Sequence, residues 1–281
     1  MNGVSVLTLV RNRATHLHKL VDGLARSDRL PDELVVVDMS DEPVAIGTQS
    51  FAVRIDRFAT TGLPLAAARN RAAALARHDR LVFLDVDCIP MSACIRLLSD
   101  ALADQDALLC ADVRYLGPGA VTTGWTEDDL LARGLAHPVR DFPTRGIRQE
   151  HDPGLFWSLA FAIRRQRFET LGGFDESFVG YGGEDTDFGY RAARDGLPLL
   201  FVGGAIGCHQ YHDSHDPPVQ HVADIVRNAR IFHARWGRWP MEGWLDAFAE
   251  MGLVGRADDG LTLRRLPSPK EREATRSVWP S

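Results

Sequence analysis

Between Gly182 and Asp187 the chain reads Gly-Gly-Glu-Asp-Thr-Asp, a glycine pair followed at once by Glu184, Asp185 and Asp187. The glycines let the backbone turn sharply and approach a ligand closely, and the acids fall in what reads as the first turn of a helix. A single acid there is explained by capping or by the helix dipole. This one has company. Asp85 and Asp87 end the apolar run that begins at Leu81, and His209 and His212 follow another apolar run ending at Cys208. Carboxylates at a strand end, a carboxylate at a glycine-hinged helix start and a histidine after a further strand are the parts of a metal-assisted group-transfer site.

Each part also has a plainer reading. Asp85-x-Asp87 suits a divalent cation that in turn holds a diphosphate, and it equally suits a solvated strand end or helix cap. His209, His212 and His215 recur every three residues and invite zinc, but Asp213, Ser214, Pro217 and Pro218 offer poor scaffolding for a three-histidine site. One imidazole joined to the aspartates gives mixed oxygen and nitrogen ligation, which suits Mn²⁺ at least as well as Mg²⁺. Asp38 can accept hydrogen bonds from a base or ribose. Arg69 and Asn70, in or near an alanine-rich helix, can face the same pocket, although Arg69 can also pair with an acidic neighbour. Among Trp157, Trp236, Trp239 and Trp244, only Trp157 is taken as a sugar-stacking candidate, because tryptophans most often fill cores.

The elements that must hold these residues alternate. Val4 to Val10 is a β-branched apolar run, and Leu17, Leu20, Val21 and Leu24 share one helical face. Strands are predicted at Leu34–Val37, Ala52–Phe58, Leu81–Leu84 and Ala107–Tyr115, with helices at Leu65–Arg77 and Ile95–Leu102 between them. That alternation specifies a mainly parallel, twisted sheet flanked by helices, with Asp38 and Asp87 at the edge where open α/β sheets bind ligands. From Leu116 to Pro153 the chain is irregular apart from a short helix near Glu127–Arg133, and reads as a functional loop or lid. A strand at Leu155–Ile163, a helix at Arg165–Leu171, two short strands at Leu197–Phe201 and Ala205–Cys208, and helices at Val219–Trp236 and Glu242–Met251 complete the pattern. Arg256 to Ser281 is expected to be a loosely packed or disordered polar end.

A chain of 281 residues with 45% hydrophobic composition can bury a full core. Its net charge of −6 argues against a general nucleic-acid binder. Four cysteines without a Cys-x-x-Cys pair suggest a reducing compartment. No apolar run is long enough to span a bilayer and no signal-type segment precedes the first strand, so a cytoplasmic protein is expected, with any membrane contact peripheral.

Taken in order, Val-Val-Val-Asp ending at Asp38, Ala-Ala-Ala-Arg-Asn ending at Asn70, Leu-Asp-Val-Asp ending at Asp87 and Gly-Gly-Phe-Asp-Glu-Ser-Phe from Gly172 resemble the inverting glycosyltransferases of family 2, which have the A-type nucleotide-sugar-binding fold. The stretch from Gly182 also resembles the β-1,4-galactosyltransferases. The resemblance implies a single A-type domain over residues 1–254, its nucleotide-sugar half at 1–115 and its acceptor half at 116–254, with a polar tail at 255–281. It implies a nucleoside-diphosphate sugar donor, UDP favoured, bound by Val10, Arg11, Asn12, Asp38, Arg69, Asn70, Asp85, Val86 and Asp87. Asp87 would ligate Mn²⁺ or Mg²⁺ together with His209, and His212 would join or replace His209. Asp185 would be the base and Glu184 its support, with Trp157, Gly182, Gly183 and Glu184 contacting a glycan, lipid-linked or small-molecule acceptor. Two alternatives stay open: a metal-dependent hydrolase built on His209, His212 and His215, and a non-catalytic nucleotide-sugar-binding protein. A sugar-phosphate nucleotidyltransferase would be expected to open with a glycine-rich phosphate loop, which Thr8 to Thr15 lacks.

Overall fold

The computed structural model describes residues 3–257 and 260–277. The first half comprises β1 (Val4–Val10), α1 (Ala14–Ala25), β2 (Glu33–Asp38), β3 (Ala52–Arg57), α2 (Leu65–Leu75), β4 (Arg80–Leu84), β5 (Cys88–Pro90), α3 (Cys94–Asp104) and β6 (Leu108–Tyr115). Next come α4 (Glu127–Arg133), β7 (Leu135–Ala136), β8 (Gly146–Glu150), β9 (Ala160–Arg164), α5 (Arg165–Thr170), α6 (Glu184–Arg194) and β10 (Leu199–His209). The chain ends through β11 (Ser214–His215), α7 (Val222–Trp236), α8 (Glu242–Glu250), β12 (Val254–Ala257), β13 (Gly260–Leu263), α9 (Pro269–Ala274) and β14 (Arg276–Ser277).

The central sheet has the order β3-β2-β1-β4-β9-β6-β10-β5, with β7 added on β6 and β8 on β10. Along that path β3, β2, β1, β4, β6 and β10 run one way while β9 and β5 oppose them, so the sheet is mainly parallel, as the alternation predicts. Both faces are covered, which is why β1 and β2 are buried along their whole length and read as continuous apolar runs. Successive β1 side chains enter opposite cores. Val4 and Val6 pack with Leu17, Leu20 and Leu24 of α1, whereas Leu7 and Leu9 pack with the alanines of α2 and with Phe161, Phe174 and Phe188. The loops after β1, β2 and β4 leave the sheet on the same edge.

Several expectations need correction. β9 runs antiparallel between β4 and β6, so simple β-α alternation stops there. The two short strands expected at Leu197–Phe201 and Ala205–Cys208 are one strand, β10, whose register slips between Val202 and Ile206, where Gly204 takes a φ of +82°. The stretch 116–153 holds the expected helix, capped by Thr126 and Asp129, but also β8, which pairs with β10. The polar end is not loosely packed in its described part. Leu261 of β13 is buried in the cluster formed by α7 and α8, Ser268 and Glu271 cap α9 reciprocally, and β14 pairs with β11. Residues 258–259 and 278–281 of that expectation lie outside the described residues.

Asp187 anchors α7 to α6. It is fully buried and accepts hydrogen bonds from Arg191 Nε at 2.8 Å, Arg235 Nη1 at 2.7 Å and Trp236 Nε1 at 2.9 Å. Removing one side of a buried, fully paired charge network leaves the rest uncompensated. Asp187→Ala should therefore lower stability by about 3–5 kcal/mol in urea unfolding, and a loss below about 1 kcal/mol would show that the anchor does not hold the helices together.

Candidate active site

Asp87 is placed by backbone pairing. Asp85 N–H donates to Leu159 O, Cys88 N–H closes a turn onto Asp85 O, and β5 then runs antiparallel to β10 with Cys88 opposite His209. Gln210 N–H donates to Asp87 O at 2.7 Å, which fixes the aspartate beside the end of β10. The Asp87 side chain is buried, with Arg13 Nη1 donating to Oδ2, His209 Nε2 at 3.4 Å from Oδ1 and His212 Nε2 at 3.4 Å from Oδ2. Burial opposes ionisation, but His209, His212 and Arg13 hold Asp87 well below the ordinary carboxylate range.

These residues fit a divalent cation. One ligand atom from each of Asp87, His209 and His212 lies within 4.8 Å of the others, and Asp87 Oδ1 is buried with no hydrogen-bond partner among the described residues. Burial lowers the pKa of His209 against the pull of Asp87, favouring the neutral imidazole that a metal needs. His212 Nδ1 lies 3.1 Å from Asp213 O. A carbonyl can only accept, so a proton on Nδ1 is satisfied there and leaves Nε2, beside Asp87, free to ligate a cation. His215 is elsewhere: it lies in β11, with Nδ1 3.2 Å from Thr275 Oγ1.

A second charged group adjoins the first. Arg69, on α2 and 4% exposed, donates to Glu184 Oε1 at 2.9 Å and to Asp85 Oδ1 at 3.4 Å. Burial raises Glu184 above its ordinary range, Asp185 adds to this and Arg69 opposes it. The Oε2 atom of Glu184 is buried without a partner among the described residues. Gly182 and Gly183, at φ of +87° and +93°, make the turn that starts α6 here. Asp185 accepts from Thr186 N at 2.7 Å and more weakly from Ser158 N at 3.5 Å, and no cation pairs with it among the described residues.

Asp185, Glu184, Gly182, Gly183, His209 and His212 line one cavity of about 720 Å³, and Trp157 joins them. Further aromatic and sulfur side chains in that wall, among them Tyr181, Trp239, Met241 and Trp244, were not singled out from the sequence as site residues. Arg13 was also missed. Its contact spans a sequence separation of 74, and the only local signal is a cation just after the first strand.

Other expected nucleotide contacts sit differently. The side chains of Val10 and Val86 lie in the hydrophobic core, so only their backbone can meet a ligand. Asn12, at φ +55°, exchanges hydrogen bonds with Asp41, tying the β1 loop to the β2 loop, and Arg11 beside it is partly buried. Asp38 is fully buried and already accepts from Ser40 N, Val44 N and Arg57 Nη1, which take up most of its acceptor capacity. Asn70 faces away from the cavity: its Nδ2 donates to Phe174 O and Glu176 Oε1, and its Oδ1 accepts from Phe174 N.

A mainly parallel sheet bearing an aspartate and two histidines at its edge, with a carboxylate at a glycine-hinged helix start, defines a glycosyltransferase A-type fold, which the structural likenesses share. Residues 5–172, more than half of the chain, match Glycosyl transferase family 2, and the chain belongs to that family. Residues 151–213 also match the N-terminal domain of galactosyltransferase. The chondroitin synthase of Pasteurella multocida (strain Pm70) is 25% identical over 238 residues, covering 74% of this chain and 25% of that protein. The validoxylamine A glucosyltransferase of Streptomyces hygroscopicus subsp. limoneus is 26% identical over 235 residues, 75% of this chain and 52% of that protein. The chain thus spans between a quarter and about half the length of these curated relatives. Among solved structures, GalNAc-T7 with UDP, GalNAc and Mn²⁺ superposes with a TM-score of 0.57 at 20% identity, covering 75% of this chain and 43% of that one. S. aureus TarS 1–349 in complex with UDP-GlcNAc gives 0.55 at 12% identity, covering 88% and 80%.

Asn70 commits its side-chain hydrogen bonds to Phe174 and Glu176. Asn70→Ala should cost about 1–3 kcal/mol by leaving the Phe174 backbone unpaired, while the thermal shift produced by UDP with Mn²⁺ stays as large as in the wild type. Loss of that shift in a folded Asn70→Ala protein would restore Asn70 to the ligand contacts.

Proposed function

We propose that this chain transfers a sugar from a nucleoside-diphosphate donor, UDP-linked, to an acceptor hydroxyl with inversion at the anomeric carbon, using Asp185 as general base. The observation that carries the reading is that Asp185 and the two histidines beside Asp87 line the same cavity. UDP is favoured because GalNAc-T7 and TarS, which share the fold, have been solved with UDP or UDP-GlcNAc, and the Mn²⁺ in the former favours Mn²⁺ over Mg²⁺ here. Residues 1–115 form the donor half in this reading and 116–254 the acceptor half.

Asp87, His209 and His212 would hold the cation. When bound, it supplies positive charge against the diphosphate as the bond to the sugar breaks. Arg13, beside Asp87, is a protein cation in reach of the same group. The acceptor oxygen forms its bond to the anomeric carbon as the carbon–oxygen bond to the diphosphate breaks, and that electron pair leaves with the nucleotide. Asp185 takes the acceptor proton. It stands in the first turn of α6, and its value as a base rests on placement. Glu184 is held by Arg69 and supports this geometry instead of competing for the proton.

The hydrolase alternative is not favoured, since His215 stands apart from the metal cluster and bonds Thr275. A non-catalytic binder is not favoured either, because it gives Asp185 no task at the cavity wall.

Two variants test the reading. Asp87→Ala should abolish Mn²⁺-dependent UDP binding in calorimetry, and unchanged affinity, insensitive to chelator, would remove the metal from the proposal. Asp185→Asn keeps the side-chain shape but not the proton acceptor. Transfer should fall by roughly 10²-fold or more with UDP affinity retained. Near-normal kcat with a lowered Tm would instead mark Asp185 as a helix-stabilising residue.

A further inference from the structure

Asp185 has few ties of its own, so the backbone on either side of it decides where its carboxylate points. Its side chain accepts from the adjoining Thr186 N at 2.7 Å and from Ser158 N at 3.5 Å. On the C-terminal side, Asp187 is gripped by Arg235 and Trp236 of α7. On the N-terminal side the grip is Asn228, from the same helix and fully buried. Its Nδ2 lies 2.8 Å from Gly182 O, 3.1 Å from Val179 O and 3.4 Å from Tyr181 O. Carbonyls only accept, so the amide nitrogen and not the oxygen faces this turn.

The turn is one that needs holding. Gly182 and Gly183 both have positive φ, which glycine adopts without strain, and a peptide between two glycines is also among the easiest to rotate. In a trans peptide the carbonyl and the following N–H point opposite ways, so the bond from Asn228 to Gly182 O turns the Gly183 N–H away from α7. Gly183 O then accepts the first bond of α6, from Asp187 N at 3.0 Å. The turn lies directly against α7: a Cβ on Gly180 would collide with the Asp224 carboxylate. Asn228 is a poor choice for packing alone, because its Oδ1 is buried without a partner among the described residues. A leucine would leave no such orphan on α7. What the amide adds is a pair of N–H donors aimed at the turn before the base.

We infer that Asn228 is a positioning residue for the transfer step: by fixing the Gly182–Gly183 peptide it sets the direction in which Asp185 meets the acceptor hydroxyl. This rests on Asp185 being the base and names the residue that aims it. A rotated 182–183 peptide shifts the start of α6, and displacing a reacting group by about 1 Å costs on the order of 10²-fold in rate. Asp87 and His209, by contrast, are placed by the pairing of β5 with β10. Turnover and donor binding therefore respond differently to the loss of Asn228.

The test compares Asn228→Leu, which has the same branching without the donors, with Asn228→Ala, a smaller side chain in case the first does not fold. Three measurements are made on each preparation of the full chain, with Asp185→Asn alongside: hydrogen exchange, the thermal shift given by UDP with Mn²⁺, and hydrolysis of UDP-glucose, UDP-galactose and UDP-GlcNAc with water in the acceptor's place. In the Asn228 variants exchange at 179–187 should rise several-fold with the rest of the chain unchanged, and kcat should fall roughly 10- to 10²-fold with KM and the thermal shift retained. Wild-type exchange at 179–187 in a folded variant, loosening spread over the whole chain, local loosening with undiminished kcat, or failure of both variants to fold would each overturn the inference. If the wild type shows the thermal shift but hydrolyses none of the three donors, exchange decides alone. Near-normal kcat in Asp185→Asn, or a wild type without any shift or hydrolysis, would instead overturn the reading of Asp185 as base, and this inference with it.

Discussion

A buried carboxylate must find positive charge or hydrogen-bond donors, and Asp87 is the residue whose demand organises this molecule. It is 5% exposed at the end of a parallel sheet, and its neighbours Arg13, His209 and His212 come from the start, the sheet's far strand and a loop beyond it. None of these is close to Asp87 in sequence. The antiparallel pairing of three residues, Cys88–Pro90, with β10 brings the histidines to Asp87, while the parallel pairing of β1 with β4 brings Arg13. Burial lowers the pKa of His209, favouring its neutral form, while Arg13 carries a permanent charge toward Asp87.

The second network couples the two halves of the chain. Arg69 reaches both Asp85 at the end of β4 and Glu184 at the start of α6, and a guanidinium can address two carboxylates with fixed geometry where a lysine offers a point charge. The next residue, Asn70, clasps the backbone at Phe174, in the loop that leads to the Gly182–Gly183 turn. Two consecutive residues of α2 therefore hold α6 from its first turn and from the loop before it. At the sheet edge the two halves of the chain are joined by these polar contacts, with the phenylalanine cluster of Phe161, Phe174 and Phe188 packed beneath.

What the sequence discloses follows from the range of the interaction. The alternation of β1 through β4 with α1 and α2 is written in local periodicity, and the glycine pair before Glu184 requires a turn wherever it is placed, so these elements were legible. The antiparallel β9 was not, because Ala160–Arg164 has the same apolar character whichever way it runs between β4 and β6. Asn70 illustrates a subtler limit. The motif around it was legible, but its side chain serves the loop at Phe174, a contact separated by 104 residues. The aromatic wall was hidden by composition. Trp239 follows α7 and Trp244 lies within α8, and nothing local distinguishes a tryptophan that faces a cavity from one that fills a core.

The C-terminal segment shows why its polarity was misleading. His212 lies on a loop, and a loop ligand is useful only if the loop is held at both ends, since ordering free backbone costs about 1–2 kcal/mol per residue. One end is fixed by β10. The other is β11, two residues long, which has no stability alone. It is secured by β14 from 62 residues further on: Ser214 and His215 pair with Ser277 and Arg276, and Asp216 N–H donates to Thr275 O at 2.8 Å. A segment that supplies backbone hydrogen bonds to an edge needs no apolar periodicity, so its sequence can be polar throughout and still be required for order. The last described residues are thereby tied to the same centre as Val4–Val10, because the loop they clasp ends on the aspartate that β1's own Arg13 holds from the other side.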